Sequence, residues 1–383
     1  MEPNPYAPGD IPRFLAGRDD QLARLELVLE RVADGEPAGA PTVFVAPRGL
    51  GKTSLLRAAE DLARPMGYAV AWVPCVKGQP VLAEVCSAVE QALEQVEIST
   101  RSAIPRWESL RVEVGVGVKA TGEWKRREPD PAPQGRVLAT EQVLRSAARA
   151  VRARGGAGLL LCLDELHAPA LDETGILLNA LQDLTGERDV NPLVVLGAGL
   201  PSTPGHLVSA ATFAERWGFV TLPSLDAGAA ARALRQPAAE VGVRWAAGAV
   251  RAVEEQARGY PYLLQLIGAA TWDVARPAHG ATITAAHAAK GWEVAQDRMR
   301  ILFQGRWDAA TEAERAFLGA MAAARTSPVP RATIAAALGV STSSISRTRG
   351  SLIDKGVIAA VGHGTLDFTL PGFADFVREV TGD

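Results

Sequence analysis

A phosphate-binding loop is the clearest chemical pattern in the sequence. Residues 46–53 match the pattern G-x-x-x-x-G-K-[ST], except that Ala46 stands at the first position. Glycines let backbone N–H groups turn towards phosphate oxygens, and a helix that begins near Lys52 adds the positive end of its dipole. We expect Lys52 to neutralise the β- and γ-phosphates of a nucleotide and the hydroxyl of Thr53 to bind Mg²⁺.

The residues expected to contact the nucleotide along this stretch are Pro47, Arg48, Gly49, Leu50, Gly51, Lys52, Thr53 and Ser54.

Two acids follow a later apolar run and complete the pattern. Residues 159–163 are apolar, and Asp164 and Glu165 come directly after them. An acid at the end of a neighbouring strand would hold Mg²⁺, and the next acid would deprotonate the attacking water. We therefore expect Asp164 to bind the metal and Glu165 to act as the base, with ATP as the nucleotide.

Short apolar runs alternate with helical periodicity through the first 225 residues. The runs at 42–46, 68–75, 158–164, 192–197 and 219–222 predict strands, and helices are predicted between them. Strands that alternate with helices predict an α/β fold, with a mostly parallel sheet and helices on both faces. After residue 225 the pattern becomes wholly helical up to about residue 302.

An insertion at about 105–130 interrupts this order. The alternation from Leu110 to Lys119 predicts a strand, and residues 124–127 a returning strand, so we expect a β-hairpin followed by a proline-rich linker. Between Arg101 and Arg136 the chain has eight Arg/Lys and five Asp/Glu. Two roles stay open for this basic hairpin: contact with a nucleic-acid backbone, or an interface between subunits.

The C-terminal part has a helix-turn-helix pattern followed by a hairpin. The pattern predicts a helix over 331–338, a turn at 339–341, a second helix over 342–355 and a wing over 357–370. Small polar and basic side chains on the second helix suit a major groove. The candidate DNA-binding residues are Ser343, Ser344, Arg347 and Arg349. Residues 306–383 hold eight basic and eight acidic side chains, so a protein-binding role for this unit stays open.

Together these motifs resemble an AAA+ ATPase of the initiator type, related to origin-recognition and archaeal-type ATPases. Residues 17–22 resemble the family's N-terminal segment, which lies against the adenine and here begins with Gly17 and Arg18. The resemblance implies a P-loop NTPase core over 1–225, an α-helical lid over 226–304 and a winged helix over 305–383. It also implies that Arg216, just before the last strand, acts as an arginine finger on a neighbouring subunit's ATP, so that the chain works as a homo-oligomer.

The sequence departs from the AAA+ pattern in two places, and the second of them resembles the related STAND group of NTPases. The fourth strand lacks a polar sensor at its end, where only Ser202 or Thr203 follows. The lid has no arginine at the usual place and reads Gly259-Tyr260-Pro261 instead. This segment is similar to that of STAND proteins, where the proline, here Pro261, lies near the nucleotide base.

Composition excludes several other classes of protein. With 383 residues, 48% hydrophobic residues and a net charge of −3, the chain is neither disordered nor a polycationic coat for nucleic acid. Its three cysteines and five histidines show no metal-ligand spacing, so we expect no bound zinc. Neither a signal peptide nor a transmembrane run is evident, and we expect a cytoplasmic protein.

The sequence therefore predicts a Mg²⁺-dependent ATPase that couples its nucleotide state to double-stranded DNA. The first alternative is a STAND-like switch that turns over slowly and acts on protein partners. A second is a DNA-binding regulator that binds ATP with little hydrolysis.

Overall fold

Two units divide the chain in the computed structural model, which describes residues 1–114, 133–186 and 191–382. The sheet unit consists of Asp19–Val45 and Lys52–Thr221. The helical unit consists of Met1–Arg18, Ala46–Gly51 and Leu222–Asp383. No helix among the described residues is both long and apolar enough to cross a bilayer.

A five-stranded parallel sheet forms the centre of the sheet unit, with strand order β2-β3-β4-β1-β5. Every side chain of β3 and β4 is buried. Because successive side chains point to opposite faces, both faces of the sheet are covered. The strands are β1 (Thr42–Val45), β2 (Tyr68–Pro74), β3 (Gly158–Asp164), β4 (Leu193–Gly199) and β5 (Gly218–Thr221). The predicted α/β, P-loop NTPase-like fold is confirmed.

The described part of the sheet unit has eight helices, and the third, fifth, sixth, seventh and eighth of them bury apolar residues in one continuous core with the strands. The eight helices are α1 (Asp19–Ala33), α2 (Lys52–Ala63), α3 (Val81–Gln95), α4 (Thr100–Ala103), α5 (Trp107–Glu113), α6 (Pro133–Ala153), α7 (Leu171–Gly186) and α8 (Thr203–Ala210). A 3₁₀ turn, Thr212–Arg216, precedes β5.

Four helices form the first part of the helical unit. They are α9 (Ala227–Glu240), α10 (Ala247–Ala257), α11 (Pro261–Ala275) and α12 (Ala285–Asp308). The N-terminal segment belongs to this unit, because the Tyr6 ring packs edge-on against Trp245 and Trp272. The Nε1–H of Trp245 donates to the Tyr6 hydroxyl at 2.7 Å.

The C-terminal part of the helical unit combines four helices with a small antiparallel sheet of order β8-β10-β9. Its elements are α13 (Glu312–Ala323), β8 (Val329–Pro330), α14 (Arg331–Ala337), α15 (Ser346–Asp354), β9 (Ile358–Gly362), β10 (Thr365–Phe368) and α16 (Phe373–Thr381). The rings of Phe303, Phe373 and Phe376 form its aromatic centre.

The predicted strand from Leu110 is wrong where the structure describes it. Trp107, Leu110 and Val114 are buried, so their helical spacing decided the local structure in α5 instead of the alternation that begins at Leu110. The rest of the predicted hairpin, 115–127, lies outside the described residues.

Two predicted boundaries and one predicted helical region differ from the structure. Helix α6 begins at Pro133, which was placed in a linker, because proline suits the first turn of a helix. Two strands of two residues, β6 (Arg244–Trp245) and β7 (Thr282–Ile283), pair inside the region predicted as wholly helical. Helix α12 runs on to Asp308 and so crosses the predicted domain boundary at 304/305.

Candidate nucleotide-binding site

The phosphate-binding loop follows β1 and leads into α2, as predicted. Gly49 and Gly51 have φ angles of 83° and 86°, in the left-handed region that favours glycine. Helix α2 begins at Lys52, whose side chain is buried. The local backbone therefore has the glycine turns and the helix N-terminus on which phosphate binding depends.

The start of α11 packs against the loop. The hydroxyl of Tyr260 donates to the carbonyl of Arg48, and the N–H of Tyr262 donates to the carbonyl of Gly49 at 3.2 Å. A Cβ on Gly49 would lie 2.8 Å from the Tyr260 ring. Gly49 is thus required twice, by its backbone conformation and by the close approach of the ring.

A second contact joins the loop to the C-terminal part of the helical unit. The Arg48 guanidinium donates to the carbonyl of Lys355, just beyond α15, at 2.9 Å. The Lys355 ammonium in turn donates to Glu314 at 2.6 Å. Glu314 also accepts hydrogen bonds from Ser351 at 2.7 Å and from the N–H of Thr311 at 2.7 Å. Lys355, whose carbonyl accepts the hydrogen bond from Arg48, is therefore held in place by the charged hydrogen bonds around Glu314.

Arg18 supports the loop from another side. Its guanidinium is buried and donates to the carbonyls of Leu50 at 3.1 Å and Pro223 at 2.8 Å. Burial lowers the pKa of Arg18. Gly17 has a φ of 65°, and a Cβ there would lie 2.7 Å from Ala229. Of the predicted pair, Gly17 thus allows close packing against Ala229, and Arg18 holds the loop by its hydrogen bond to the Leu50 carbonyl.

Thr53 and Asp164 meet inside the sheet unit. The Thr53 hydroxyl donates to Oδ2 of Asp164 at 2.8 Å, and Oδ1 accepts from the N–H of Glu165 at 2.9 Å. Burial raises the pKa of Asp164, and the hydrogen bond from Thr53 opposes that rise. The two predicted metal ligands are therefore neighbours.

This oxygen pair fits Mg²⁺. Magnesium usually takes one or two protein oxygens and completes its shell with water and phosphate oxygens. Adjacent ligands of an octahedral Mg²⁺ lie about 2.8 to 3.0 Å apart when each metal–oxygen bond is about 2.0 to 2.1 Å long. The 2.8 Å between Thr53 and Asp164 matches that spacing. No group of three or more His, Cys, Asp or Glu side chains among the described residues forms a metal cluster.

Glu165 lies beside a histidine in the same unit. Its backbone is left-handed, with a φ of 55°, and its carboxylate is 3.3 Å from Nε2 of His167. Nδ1 of His167 accepts the N–H of Leu200 at 3.4 Å. A neutral His167 would then carry its proton on Nε2, facing Glu165. His167 can thereby orient the predicted base, a role that the sequence did not indicate.

The remaining predicted residues have separate positions. Pro261 is the first residue of α11. Arg216 is exposed at the end of the 3₁₀ turn. Of the two sensor candidates, Thr203 is buried and its hydroxyl donates to the Leu200 carbonyl at 2.6 Å, whereas Ser202 is half-buried.

The candidate DNA-binding residues divide between a turn and a helix. Ser343 and Ser344 lie in the turn before α15, where their hydroxyls lie 2.8 Å from the Ser341 hydroxyl. Their predicted place on the second helix is wrong, because that helix begins at Ser346. Arg347 is exposed on α15, whereas Arg349 is half-buried and its Nε atom has no partner among the described residues.

Two further contacts at the site were not predicted. Tyr260 belongs to the predicted lid segment Gly259-Tyr260-Pro261, and nothing in the sequence indicates its hydrogen bond to the Arg48 carbonyl. The sequence also does not indicate that half-buried Arg306 lies near Tyr260; partial burial lowers the pKa of its guanidinium. Both contacts depend on how separate helices pack, which periodicity does not determine.

Comparison with known families supports the nucleotide site. The family "AAA ATPase domain" matches residues 15–196, which include the loop and both acids. A second family, "Domain of unknown function (DUF8462)", matches residues 300–377. No curated protein sequence matches the chain.

Solved structures share the fold over nearly the whole chain. The Walker-type ATPase PABY2304 of Pyrococcus abyssi is 14% identical, with a TM-score of 0.62 over 95% of this chain and 96% of that one. The Thermotoga maritima RuvB Holliday junction branch migration motor is 18% identical, with a TM-score of 0.49 over 97% and 98%. Cdc6p of Pyrobaculum aerophilum is 13% identical, with a TM-score of 0.46 over 98% and 96%. The domain match supports an ATPase, and the likeness to the Pyrococcus abyssi structure supports the fold alone.

Proposed function

We propose that this AAA+ ATPase couples the state of its nucleotide to double-stranded DNA binding through its C-terminal part. The observation that carries the proposal is the hydrogen bond from Arg48 to the Lys355 carbonyl. Arg48 belongs to the phosphate-binding loop, and Lys355 directly follows α15, the second helix of the helix-turn-helix. A change in the loop when the γ-phosphate is lost would therefore reach α15 directly.

In the proposed reaction Lys52 and the backbone N–H groups from Arg48 to Ser54 bind the phosphates of ATP, and Pro47, which has no N–H, borders them. Thr53 and Asp164 would hold Mg²⁺, which supplies positive charge to the phosphate oxygens when bound. Glu165, oriented by His167, accepts a proton from the attacking water. Gly17, Arg18 and Pro261 would border the adenine.

The C-terminal part supports DNA contact by its order of elements. Helix, strand, two helices, hairpin and helix follow one another as in a winged helix, and α15 would enter the major groove. Arg347, Ser343 and Ser344 are exposed and can donate to phosphate oxygens or base edges. Arg349 would contribute its outer nitrogen atoms only, since its Nε is buried.

Arg216 supports an oligomeric enzyme. Its side chain is exposed and has no hydrogen-bond or ion-pair partner among the residues that the structure describes. Such an arginine can stabilise transition-state charge on a neighbouring subunit's ATP. Arg216→Ala should then abolish turnover without weakening ATP binding, and a cytoplasmic homo-oligomer would be the active form. If turnover survives the substitution, Arg216 is not the finger.

The test of the proposed coupling is DNA affinity in two nucleotide states. Duplex DNA is titrated against the Glu165→Gln variant with ATP and against the wild type with ADP. We expect the dissociation constants to differ by about fivefold or more. Arg347→Gln should lower DNA affinity in both states, and Arg251→Gln, at an exposed arginine of α10, is the matched control. Equal affinity with ATP and ADP would overturn the coupling.

One observation favours a second candidate, the STAND-like switch. Tyr260, of the Gly259-Tyr260-Pro261 segment, donates to Arg48 and covers Gly49. Together with the Arg48–Lys355 bond, this contact suits a protein in which the C-terminal part packs internally and ATP sets a long-lived state. Such a switch would show slow turnover that is indifferent to DNA and would act on a protein partner.

A further inference from the structure

A cavity of about 440 Å³ lies within the helical unit, apart from the phosphate-binding loop. The ends of α10, α13 and β10 and the length of α16 border it, and its lining includes no residue of 46–54. Tyr260 lines the cavity on one side. A volume of this size holds a ligand as large as a nucleotide.

The charges of the cavity leave two cations unpaired. Three arginines line it: Arg258, Arg325 and Arg378. Arg378 is paired with Asp375 and also donates to the Ala322 carbonyl at 2.9 Å. Within the described part of the chain, the side chains of Arg258 and Arg325 make no hydrogen bond or ion pair.

Two carboxylates also line the cavity: Asp375, which pairs with Arg378, and Asp367, which forms no ion pair with Arg258 or Arg325 among the described residues. Oδ2 of Asp367 accepts from the Ser327 hydroxyl at 2.6 Å, and its Oδ1 accepts from the N–H of Phe368 at 2.9 Å. Arg258 and Arg325 are both exposed, so an anionic ligand would meet two guanidinium groups without a protein partner in the described ranges, whereas the oxygens of Asp367 already accept hydrogen bonds from Ser327 and Phe368. Guanidinium groups form paired hydrogen bonds with phosphate oxygens.

The rest of the wall is partly polar, with Ser224, Thr326 and Thr369, and partly apolar, and the apolar part indicates the other half of the ligand. Phe368, Leu370 and Met321 line the cavity beside Tyr260. A purely inorganic anion would leave this apolar surface without a partner, whereas a phosphorylated molecule with a ring would cover it.

We propose that this cavity binds a phosphate-bearing small molecule of nucleotide size, as a second ligand in addition to ATP. The phosphate contacts Arg258 and Arg325, and the ring packs on Phe368. Tyr260 borders the cavity and donates to the Arg48 carbonyl of the ATP loop. The second ligand therefore acts on the residue that covers Gly49, and its binding changes the affinity of the loop for ATP.

The test distinguishes ligand binding in the cavity from ATP binding at the loop by first weakening the loop with Lys52→Ala. In a Lys52→Ala background, the full chain is titrated calorimetrically with inorganic pyrophosphate and with adenosine 5′-diphosphate. Both probes should still bind at one site. Arg258→Gln together with Arg325→Gln should weaken that binding by about tenfold or more, since two charged hydrogen-bonding groups are lost.

A matched control exists in the same unit. Arg276 ends α11 with a φ of 43°, close to the 47° of Arg258 and the 51° of Arg325, but does not line the cavity. Arg276→Gln should leave both affinities unchanged, and circular dichroism melting shows whether each variant is folded. Binding lost already in Lys52→Ala, or unchanged in the double variant, overturns the proposal. If the double variant no longer binds duplex DNA but binds both probes with unchanged affinity, these arginines contact DNA and the cavity is not a ligand site.

Discussion

The hydroxyl of Thr53 donates a 2.8 Å hydrogen bond to Asp164 across 111 residues of sequence. Thr53 lies in the first turn of α2, and Asp164 is the last residue of β3. The parallel order β3-β4-β1 puts the carboxyl ends of these strands at the same edge of the sheet. The magnesium chemistry of the proposed ATPase depends on this pair.

Replacing Thr53 by valine tests the pair with almost no change in shape. Thr53→Val removes the hydroxyl that contacts Asp164, so the Mg²⁺ concentration needed for half-maximal ATP turnover should rise about tenfold or more. Thr185→Val is the control, because the Thr185 hydroxyl bonds only within α7, to Gln182. An unchanged Mg²⁺ requirement in Thr53→Val would show that this hydroxyl is not a ligand.

Glu165 is expected to carry proton transfer without contributing much to ATP affinity. Glu165→Gln keeps the side-chain size and removes the base, so turnover should fall about 100-fold or more. Calorimetric ATP affinity should stay within a few-fold of the wild type. Turnover at the wild-type rate would mean that another group activates the water.

Gly49 is predicted to tolerate no side chain. Gly49→Ala places a methyl group 2.8 Å from the Tyr260 ring and strains a left-handed backbone, so ATP affinity should fall by about tenfold or more. Gly35→Ala is the matched control, with a φ of 91° and nothing within 4 Å of the new Cβ. That variant should lose only about 1–2 kcal/mol of stability. Equal effects of the two substitutions on ATP affinity would contradict the account.

Glu314 gives the C-terminal part a defined pH dependence. Burial would raise its pKa, but hydrogen bonds from Lys355, Thr311 and Ser351 prevail and lower that pKa from 4.5 to about 2. A lowered folded-state pKa contributes stability above the unfolded-state value, and this contribution is lost as the pH falls from about 4.5 towards 2.

The Glu314→Gln variant measures that contribution directly. At pH 7 it should be less stable than the wild type by about 1–3 kcal/mol in urea denaturation, because charged hydrogen bonds to a buried group are lost. The difference should shrink below pH 4.5. Glu379→Gln, at an exposed ion pair with Arg300, should cost less than about 1 kcal/mol. A difference between wild type and Glu314→Gln that does not change with pH would contradict the pKa argument.

Local patterns predicted the sheet and the loop well. The loop, α2 and the acids after β3 each depend on a short stretch of residues, so spacing was sufficient to find them. The apolar residues from Trp107 to Val114 fit both an alternating and a helical spacing. The segment forms a helix because that conformation buries both Trp107 and Leu110. Arg48 and Lys355 lie 307 residues apart, and no periodicity indicates such a contact.

We propose that Arg48 couples the ATP loop to the C-terminal part through its hydrogen bond to the Lys355 carbonyl. The most direct test of this coupling is steady-state ATP turnover with and without duplex DNA, expressed as the ratio of the two rates. We predict a ratio well above one for the wild type and close to one for Arg48→Gln, whereas Arg31→Gln, at an exposed ion pair of α1, keeps the wild-type ratio. A wild-type ratio of one, or an unchanged ratio in Arg48→Gln, would contradict the account.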